Sequence, residues 1–447
     1  MAAINRIMLS EAVIQNRFSA EFFDPRYAFN PTKDVEWVSI GSVLKKCEYG
    51  LSISMNSSEK GYPIFRMNEL RDCFALRPSK YANVSSEIFN AYALQENDVL
   101  FNRTNSFDFV GRTGIVKDQT DCTFASYLIR LVPDTAKLLP QFLTIYLNTP
   151  FGIGQVKRRA MRSINQANVS GSEVRRVLIP LFEISIQEEI ATLVDTAYCK
   201  QRESLEFDAL AESLLATRLG LNESTFSNPV SYTAKFSNVE AARRFDADHY
   251  FPRFRAFNAA LPPGISLSPL ADVISFCRRG KQPVYSDTGI RVINSKHVQH
   301  NRVVLKGTRS ALPNSDSALN IRSGDVLLNG TGRGTIGRAA PYISHTPAIA
   351  DNHVTILRST IDPAFLSLYL NSVAGQMQVE MHQRGTSGQT ELYPADIHKF
   401  QIWNAPAEFQ LEIRTLHEKA ANASSESKVL LDKAKNRVVE LVKSAMT

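Results

Sequence analysis

The chain is written twice, and no other feature constrains its fold as tightly. Arg17-Phe18-Ser19-Ala20-Glu21-Phe22-Phe23-Asp24-Pro25-Arg26-Tyr27 returns 227 residues later as Arg244-Phe245-Asp246-Ala247-Asp248-His249-Tyr250-Phe251-Pro252-Arg253-Phe254. Asp98-Val99-Leu100-Phe101-Asn102 is answered at the same offset by Asp325-Val326-Leu327-Leu328-Asn329, and Gly111-Arg112 by Gly337-Arg338 at an offset of 226. The run from Pro140 to Val156 matches the run from Pro363 to Val379 at an offset of 223. The matched windows keep one order along the chain, so two copies of one unit are expected.

Each half has the same internal order. Short apolar runs come first, broken by Gly, Pro, Asn and Ser, and read as strands and turns. Val38 to Leu44, Asp98 to Asn102 and Leu128 to Val132 are examples, with Asp325 to Asn329 and Val354 to Leu357 as counterparts. A short helix follows in each half (Pro140 to Asn148; Pro363 to Asn371), opening on a proline where a missing N–H costs little. Next come a polar loop and a short strand ending near Pro180 or Pro406. The last segment of each half, 181–219 and 407–447, holds neither Gly nor Pro.

Those last segments carry a seam. Ile186, Ile190, Leu193, Ala197, Lys200, Ser204, Phe207, Ala211 and Leu214 step four and three residues apart. Phe409, Ile413, Leu416, Ala420, Ala423, Ser427, Leu430, Ala434 and Arg437 repeat the pattern 223 residues later. A period of 3.5 marks a left-handed coiled coil, and Ala197, Ala420 and Ala423 would let two helices approach closely. The expected fold is mixed α/β: two repeated domains, 1–180 and 221–404, separated by two long antiparallel coiled-coil helices, 181–220 and 405–447. The competing arrangement packs each helix on its own domain only. Paired antiparallel, the helices would hold two similar heads apart by a little more than one duplex DNA turn, about 34–36 Å.

Composition narrows the function classes. With 447 residues, 44% hydrophobic and 21% charged, the chain can build sizeable cores and is not globally disordered. No stretch is long and apolar enough to span a bilayer, and the opening residues read as no secretory leader. Cys47, Cys73, Cys122, Cys199 and Cys277 are odd in number and scattered, which fits a reducing cytoplasm better than a disulfide framework. The net charge of +7 permits a polyanionic partner without proving one.

Catalytic patterns fail one by one. Gly332-Arg333-Gly334-Thr335-Ile336-Gly337 fits G-x-G-x-x-G, but a dinucleotide site needs a helix to open there, and Pro341 follows in a strand-like run. Pro133-Asp134 with Lys137 lacks the second carboxylate that a nuclease metal pair requires. His297 and His300 have no further ligands nearby. No phosphate-binding loop and no methyltransferase tetrapeptide occur. No cofactor, no metal and no catalytic residues are expected.

Binding residues remain. Lys157, Arg158, Arg159 and Arg162 cluster after the short helix of the first half, followed by Asn165 and Gln166; Arg384 and Gln389 hold the matching place in the second. Arg103 and Arg112, then Arg333 and Arg338, flank the two hairpins, and Arg278, Arg279 and Lys281 form a third cluster. Arginine for phosphates or guanine edges and Asn or Gln for adenine edges are the groups that read a duplex.

This layout resembles the specificity subunit of Type I restriction-modification systems over nearly the whole chain. The resemblance is carried by the Asp-Val-Leu-[Phe/Leu]-Asn strands (98–102, 325–329), the Phe-Leu-x-x-Tyr-Leu-Asn helices (142–148, 365–371) and the Gln loops (163–166, 386–389). The Val177-Leu178-Ile179-Pro180 to Gln187-Glu188-Glu189-Ile190 junction and the duplicated Arg-Phe openings also fit. At Trp403-Asn404-Ala405-Pro406 the second half departs from that junction pattern. The resemblance implies two target recognition domains that each read half of a bipartite DNA target. It implies helices that fix the spacer between the half-sites and dock two adenine-N6 methyltransferase subunits, with a restriction/translocase subunit as a further partner. It makes the chain a non-catalytic, cytoplasmic subunit with no membrane partner. The helix seam would run through Ile190, Leu193, Ala197 and Phe207 against Ile413, Leu416, Ala420 and Leu430. Two alternatives stay open at this point: the recognition subunit of a fused nuclease–methyltransferase system, and a two-headed protein scaffold that does not bind DNA.

Overall fold

The computed structural model describes residues 7–445 apart from 16, 30, 32–34, 119–120, 222–228, 315 and 386–389. It resolves into two compact units, Met1–Arg202 with Ala423–Thr447, and Glu203–Asn422.

The first unit is built on a six-stranded sheet in the order Leu44–Tyr49, Leu128–Pro133, Val99–Asn102, Thr113–Ile115, Phe74–Ala75, Leu70–Arg71. Its central strand is apolar at successive positions because both faces are covered. Val99 and Phe101 pack with Phe142, Ile145 and Tyr146 on one side. Leu100 packs with Phe65, Phe124 and Leu128 on the other. The second unit repeats this with Ile274–Arg279, Val354–Ser359, Val326–Asn329 and Ala339–Pro341. There Val326 and Leu328 face Phe365 and Tyr369, while Leu327 joins Tyr342 and Ile356. The acid that opens each central strand is structural. Asp98 is buried against Arg130 at 2.8 Å, and Asp325 is buried against Arg358 at 2.9 Å.

The expected polar loop after each short helix holds a second helix instead, Pro150–Arg159 in one unit and Val373–His382 in the other. Thr149 caps the first, its hydroxyl accepting the Gly152 N–H, and Pro150 takes the opening turn. From this helix Gln155 clasps the chain at Leu178: it accepts the Leu178 N–H at 2.8 Å and donates to the Leu178 carbonyl at 2.8 Å. Tyr146 donates to the same carbonyl at 2.7 Å. Gln378, Tyr369 and Gln401 form the same clasp in the second unit.

The long helices span Ile184–Leu219 and Ala407–Ser444. The second begins directly after Pro406, so the departure at Trp403–Pro406 leaves the junction intact: Gln401–Trp403 pairs with Leu267–Pro269 as Leu178–Pro180 pairs with Trp37–Ser39. Each helix is tied to its own domain by a glutamine in its first turns. Gln187 accepts the Leu139 N–H at 2.8 Å, and Gln410 accepts the Asp362 N–H at 2.9 Å.

The helices also pair with each other, so the two arrangements open in the sequence coexist on different helix faces. In the first unit Ser427 donates to the Ala197 carbonyl at 2.7 Å, and Arg437 lies 3.3 Å from Glu189. In the second unit Ser204 donates to the Ala420 carbonyl at 2.8 Å, and Lys419 lies over the Phe207 ring. Partners climb on one helix as they descend on the other, so the pairing is antiparallel in both units. Ser204 and Ala197 are the 223-residue counterparts of Ser427 and Ala420, so one crossing is made twice. Ile190, Ala197, Ile413, Leu416 and Ala420 are buried, and Leu193, Phe207 and Leu430 are half-buried.

Candidate nucleic-acid interface

In each unit the central strand ends on an asparagine whose backbone holds a loop at both ends. Asn102 accepts the Gly111 N–H at 2.8 Å and donates to the Arg112 carbonyl at 2.8 Å. Asn329 does the same to Gly337 and Arg338, both at 2.9 Å. Gly111 and Gly337 have φ of 92° and 80°, and a Cβ at either would strike Val156 or Val379 at 2.7–2.8 Å. Glycine is required there because backbone must pass against the second helix.

The loops thus framed differ in chemistry. In the first unit Phe107 and Phe109 carry cations on their faces: Arg162 at 3.6 Å and Lys157 at 4.6 Å over Phe107, Arg112 at 4.1 Å over Phe109. Tyr27 meets Phe107 edge-on. In the second unit the loop is Gly332-Arg333-Gly334, with Arg333 exposed at its tip. It is a turn with φ of 101° at Gly332 and 75° at Gly334, joining antiparallel strands, and no helix opens from it.

The basic run 157–162 divides by helical position. Lys157 is buried and donates to the Phe107 carbonyl; burial pulls its pKa below the usual lysine range. Arg159 is buried with its guanidinium on the Gln155 and Arg176 carbonyls at 3.2 and 3.1 Å. Burial, then the neighbouring Arg158, brings its pKa down to about 10. Arg158 is half-buried over Phe22. Arg162 is exposed on a hairpin, Met161–Arg162 against Ala167–Asn168, whose tip presents Asn165 and Gln166 to solvent. Arg103 anchors that hairpin, donating to Asn168 at 3.1 Å and lying over Tyr49 at 4.8 Å.

In the second unit Arg384 is bidentate on the buried Asp396, at 2.7 and 2.8 Å. Burial raises the Asp396 pKa, but Arg384 and Lys399 outweigh it and hold the carboxyl below its ordinary value. Arg279 donates to Glu391 and to the Leu392 carbonyl, and Arg278 pairs with Asp316 at 2.9 Å. Lys281 is exposed and Arg338 half-buried; Gln389 lies outside the described residues. One cation escaped the sequence reading. Arg309 stacks 3.6 Å over Tyr285, across strands that pair Ser286 with Ser310. It stands alone in sequence, with no cluster to mark it. Among the described residues no group of His, Cys, Asp or Glu is placed to hold a metal, and His297 turns inward to accept the Asn294 N–H at 3.0 Å.

Residues 32–204 match the family model described as the Type I restriction modification DNA specificity domain. Over that stretch the chain is similar to this family. Within 32–204 the match bears out the resemblance drawn from the strand 98–102, the helix 142–148 and the loop 163–166. The Type I restriction enzyme EcoKI specificity subunit of Escherichia coli K12 is 26% identical over 208 residues, 45% of this chain and 45% of that protein. The type I restriction enzyme MjaX specificity subunit of Methanocaldococcus jannaschii is 26% identical over 166 residues, 36% of this chain and 39% of that one. The alignments therefore span less than half the length of these relatives. Among solved structures, the S subunit of a Type I system from M. genitalium aligns over 92% of this chain and 98% of its own, with a TM-score of 0.45 and 12% identity. The HsdS subunit of Thermoanaerobacter tengcongensis aligns over 93% of this chain and 97% of its own, with a TM-score of 0.30 and 14% identity. No helix among the described residues is long and apolar enough to cross a membrane.

Proposed function

We propose that this chain is the DNA sequence-specificity subunit of a Type I restriction-modification complex. Its recognition domains, 1–180 and 221–404, each read one half of a bipartite duplex target. The helices 181–220 and 405–447 set the unread spacer and dock two adenine-N6 methyltransferase subunits, to which a restriction/translocase subunit can be added. The methyltransferase supplies the chemistry, and the chain works in the cytoplasm without catalysis of its own.

The observation that carries this reading is the pair of loops framed identically by Asn102–Arg112 and Asn329–Arg338 and filled differently. An identical frame delivers a loop to the same place on a duplex, while different fillings select different bases. Phe107, Arg112, Arg162, Asn165 and Gln166 are the contact residues assigned to the first domain, and Lys281, Arg333 and Arg338 to the second. Lys157 and Arg159 hold the first surface in place from beneath, and Arg384, exposed but fixed on Asp396, borders the second.

Expression in a methylation-free host with the methyltransferase encoded beside this chain, followed by methyl-adenine mapping, tests the reading. A bipartite motif with a fixed gap is expected. Inserting four residues after both Ala197 and Ala420 lengthens each helix by about 6 Å. The gap should then grow by a base pair or two with both half-sites unchanged. No motif from an active methyltransferase would refute the function, and an altered half-site would refute the spacer role.

A further inference from the structure

The duplicated Arg-Phe opening is not used by the reading above, yet it presents the same surface twice. Phe18 is 73% exposed and Phe245, 227 residues later, is 86% exposed. The arginine before each is pinned: Arg17 lies 2.6 Å from the Glu173 carboxylate, and Arg244 donates to the His382 and Gln383 carbonyls at 3.2 and 2.7 Å. Beyond the exposed ring each strap goes back into its own unit. Phe22 is buried beneath Arg158 and Arg159, and His249 lies with its Nδ1 2.8 Å from the Met381 carbonyl. Each strap is therefore fastened on both sides of a phenylalanine that touches solvent.

We propose that Phe18 and Phe245 are twin anchors for two copies of one protein subunit, the methyltransferase of the complex, an inference that rests on the specificity-subunit reading. Two observations choose this occupant. The first is repetition. Reading different half-sites requires the two domains to differ, so a surface kept alike suits a partner present twice. The second is charge. Each ring stands beside exposed small and acidic residues, Ser19, Ala20 and Glu21 in one strap and Ala247 and Asp248 in the other, where Asp246 is held by Arg244. Carboxylates beside an apolar ring oppose a polyphosphate and suit an apolar pocket rimmed with Lys and Arg.

The test uses the full chain with its own methyltransferase subunit, read by native mass spectrometry and titration. The wild type should bind two copies. Phe18→Ala and Phe245→Ala should each weaken one site at least tenfold and leave one tight copy, and the double variant should hold none at that concentration. Because both rings are exposed, the melting temperature should not move. Glu21→Lys with Asp248→Lys should weaken the same sites without touching the rings. Variants that retain two copies at wild-type affinity would overturn the inference. So would variants that assemble normally but lose duplex affinity, which would assign the straps to DNA. A wild type that binds no methyltransferase would refute the specificity-subunit reading itself, a result distinct from both.

Discussion

All eight histidines lie in the second half of the chain, and two of them should make the second unit sensitive to mild acid. His382 is buried between His249, Asp396, Arg244 and Lys399; burial first, then His249, Arg244 and Lys399 against the opposing pull of Asp396, bring its pKa down to about 4. His417, on the second long helix near Arg302, is brought to about 4 by the same dominant cause. A histidine whose folded pKa is depressed stays neutral in the fold while the unfolded chain takes up a proton. Its contribution is whole above about pH 6.5 and is lost progressively as pH falls toward 4. At pH 5 the loss for one such group is about 2 kcal/mol. His417 is only half-buried, so the two together cost the second unit about 2–4 kcal/mol, a large part of a typical domain's stability. The chain has one tryptophan in each unit, Trp37 and Trp403. Urea titrations of Trp37→Phe and Trp403→Phe variants therefore report the units separately. Between pH 7 and pH 5 the Trp403 midpoint should fall by about 1 M or more beyond any fall at Trp37. His382→Gln with His417→Gln should remove that excess. If the double variant keeps the full pH dependence, the assignment to these two side chains is wrong.

Two further predictions follow from buried and exposed arginines. Asp325→Asn leaves the half-buried Arg358 without its carboxylate and should destabilise the second unit by about 3 kcal/mol; Asp98→Asn should cost the first unit less, because Glu48 stays 3.1 Å from Arg130, each loss appearing at its own tryptophan. On duplex DNA, Arg162→Ala and Arg333→Ala should each reduce the slope of log affinity against log salt by about one, with urea stability unchanged. Arg159→Ala should do the reverse, and loss of slope there would contradict its placement beneath the surface.

Much of this architecture was legible because duplication converts weak signals into paired ones. The strand Asp98–Asn102 and the seam through Ile190, Ala197 and Ser204 gain weight because each recurs at a fixed offset. Periodicity located the long helices to within a few residues, since 3.5-residue spacing over 30 or so positions has no other common cause. The division of the basic run was not legible. Lys157, Arg158, Arg159 and Arg162 are near neighbours in sequence, and the helix Pro150–Arg159, read from sequence as loop, turns Lys157 and Arg159 inward. Arg384 stays exposed, but its bidentate hold on Asp396, at 2.7 Å, crosses a turn of chain that no local pattern predicts. Arg309 shows the converse: cross-strand geometry builds its stack on Tyr285, and sheet pairing is set by contacts distant in sequence.

The polar ties that recur between the halves explain how such divergence is tolerated. Gln155 and Gln378 clasp the same point of the chain, Gln187 and Gln410 fasten each long helix to its short one, and Ser427 and Ser204 each bond the facing helix. Each bonds backbone, and all but Gln410 are buried, so the loss of a buried one would leave an unpaired polar group at a cost of about 1–3 kcal/mol. None of them involves the tips of the loops at 105–110 and 331–336. A loop framed at its base by Asn102 or Asn329 can carry Phe107 in one unit and Arg333 in the other without changing the sheet, the clasp or the helix crossing. The energy that fixes the frame and the chemistry that fills it therefore reside in different residues. On that division one scaffold can carry two unlike loop surfaces.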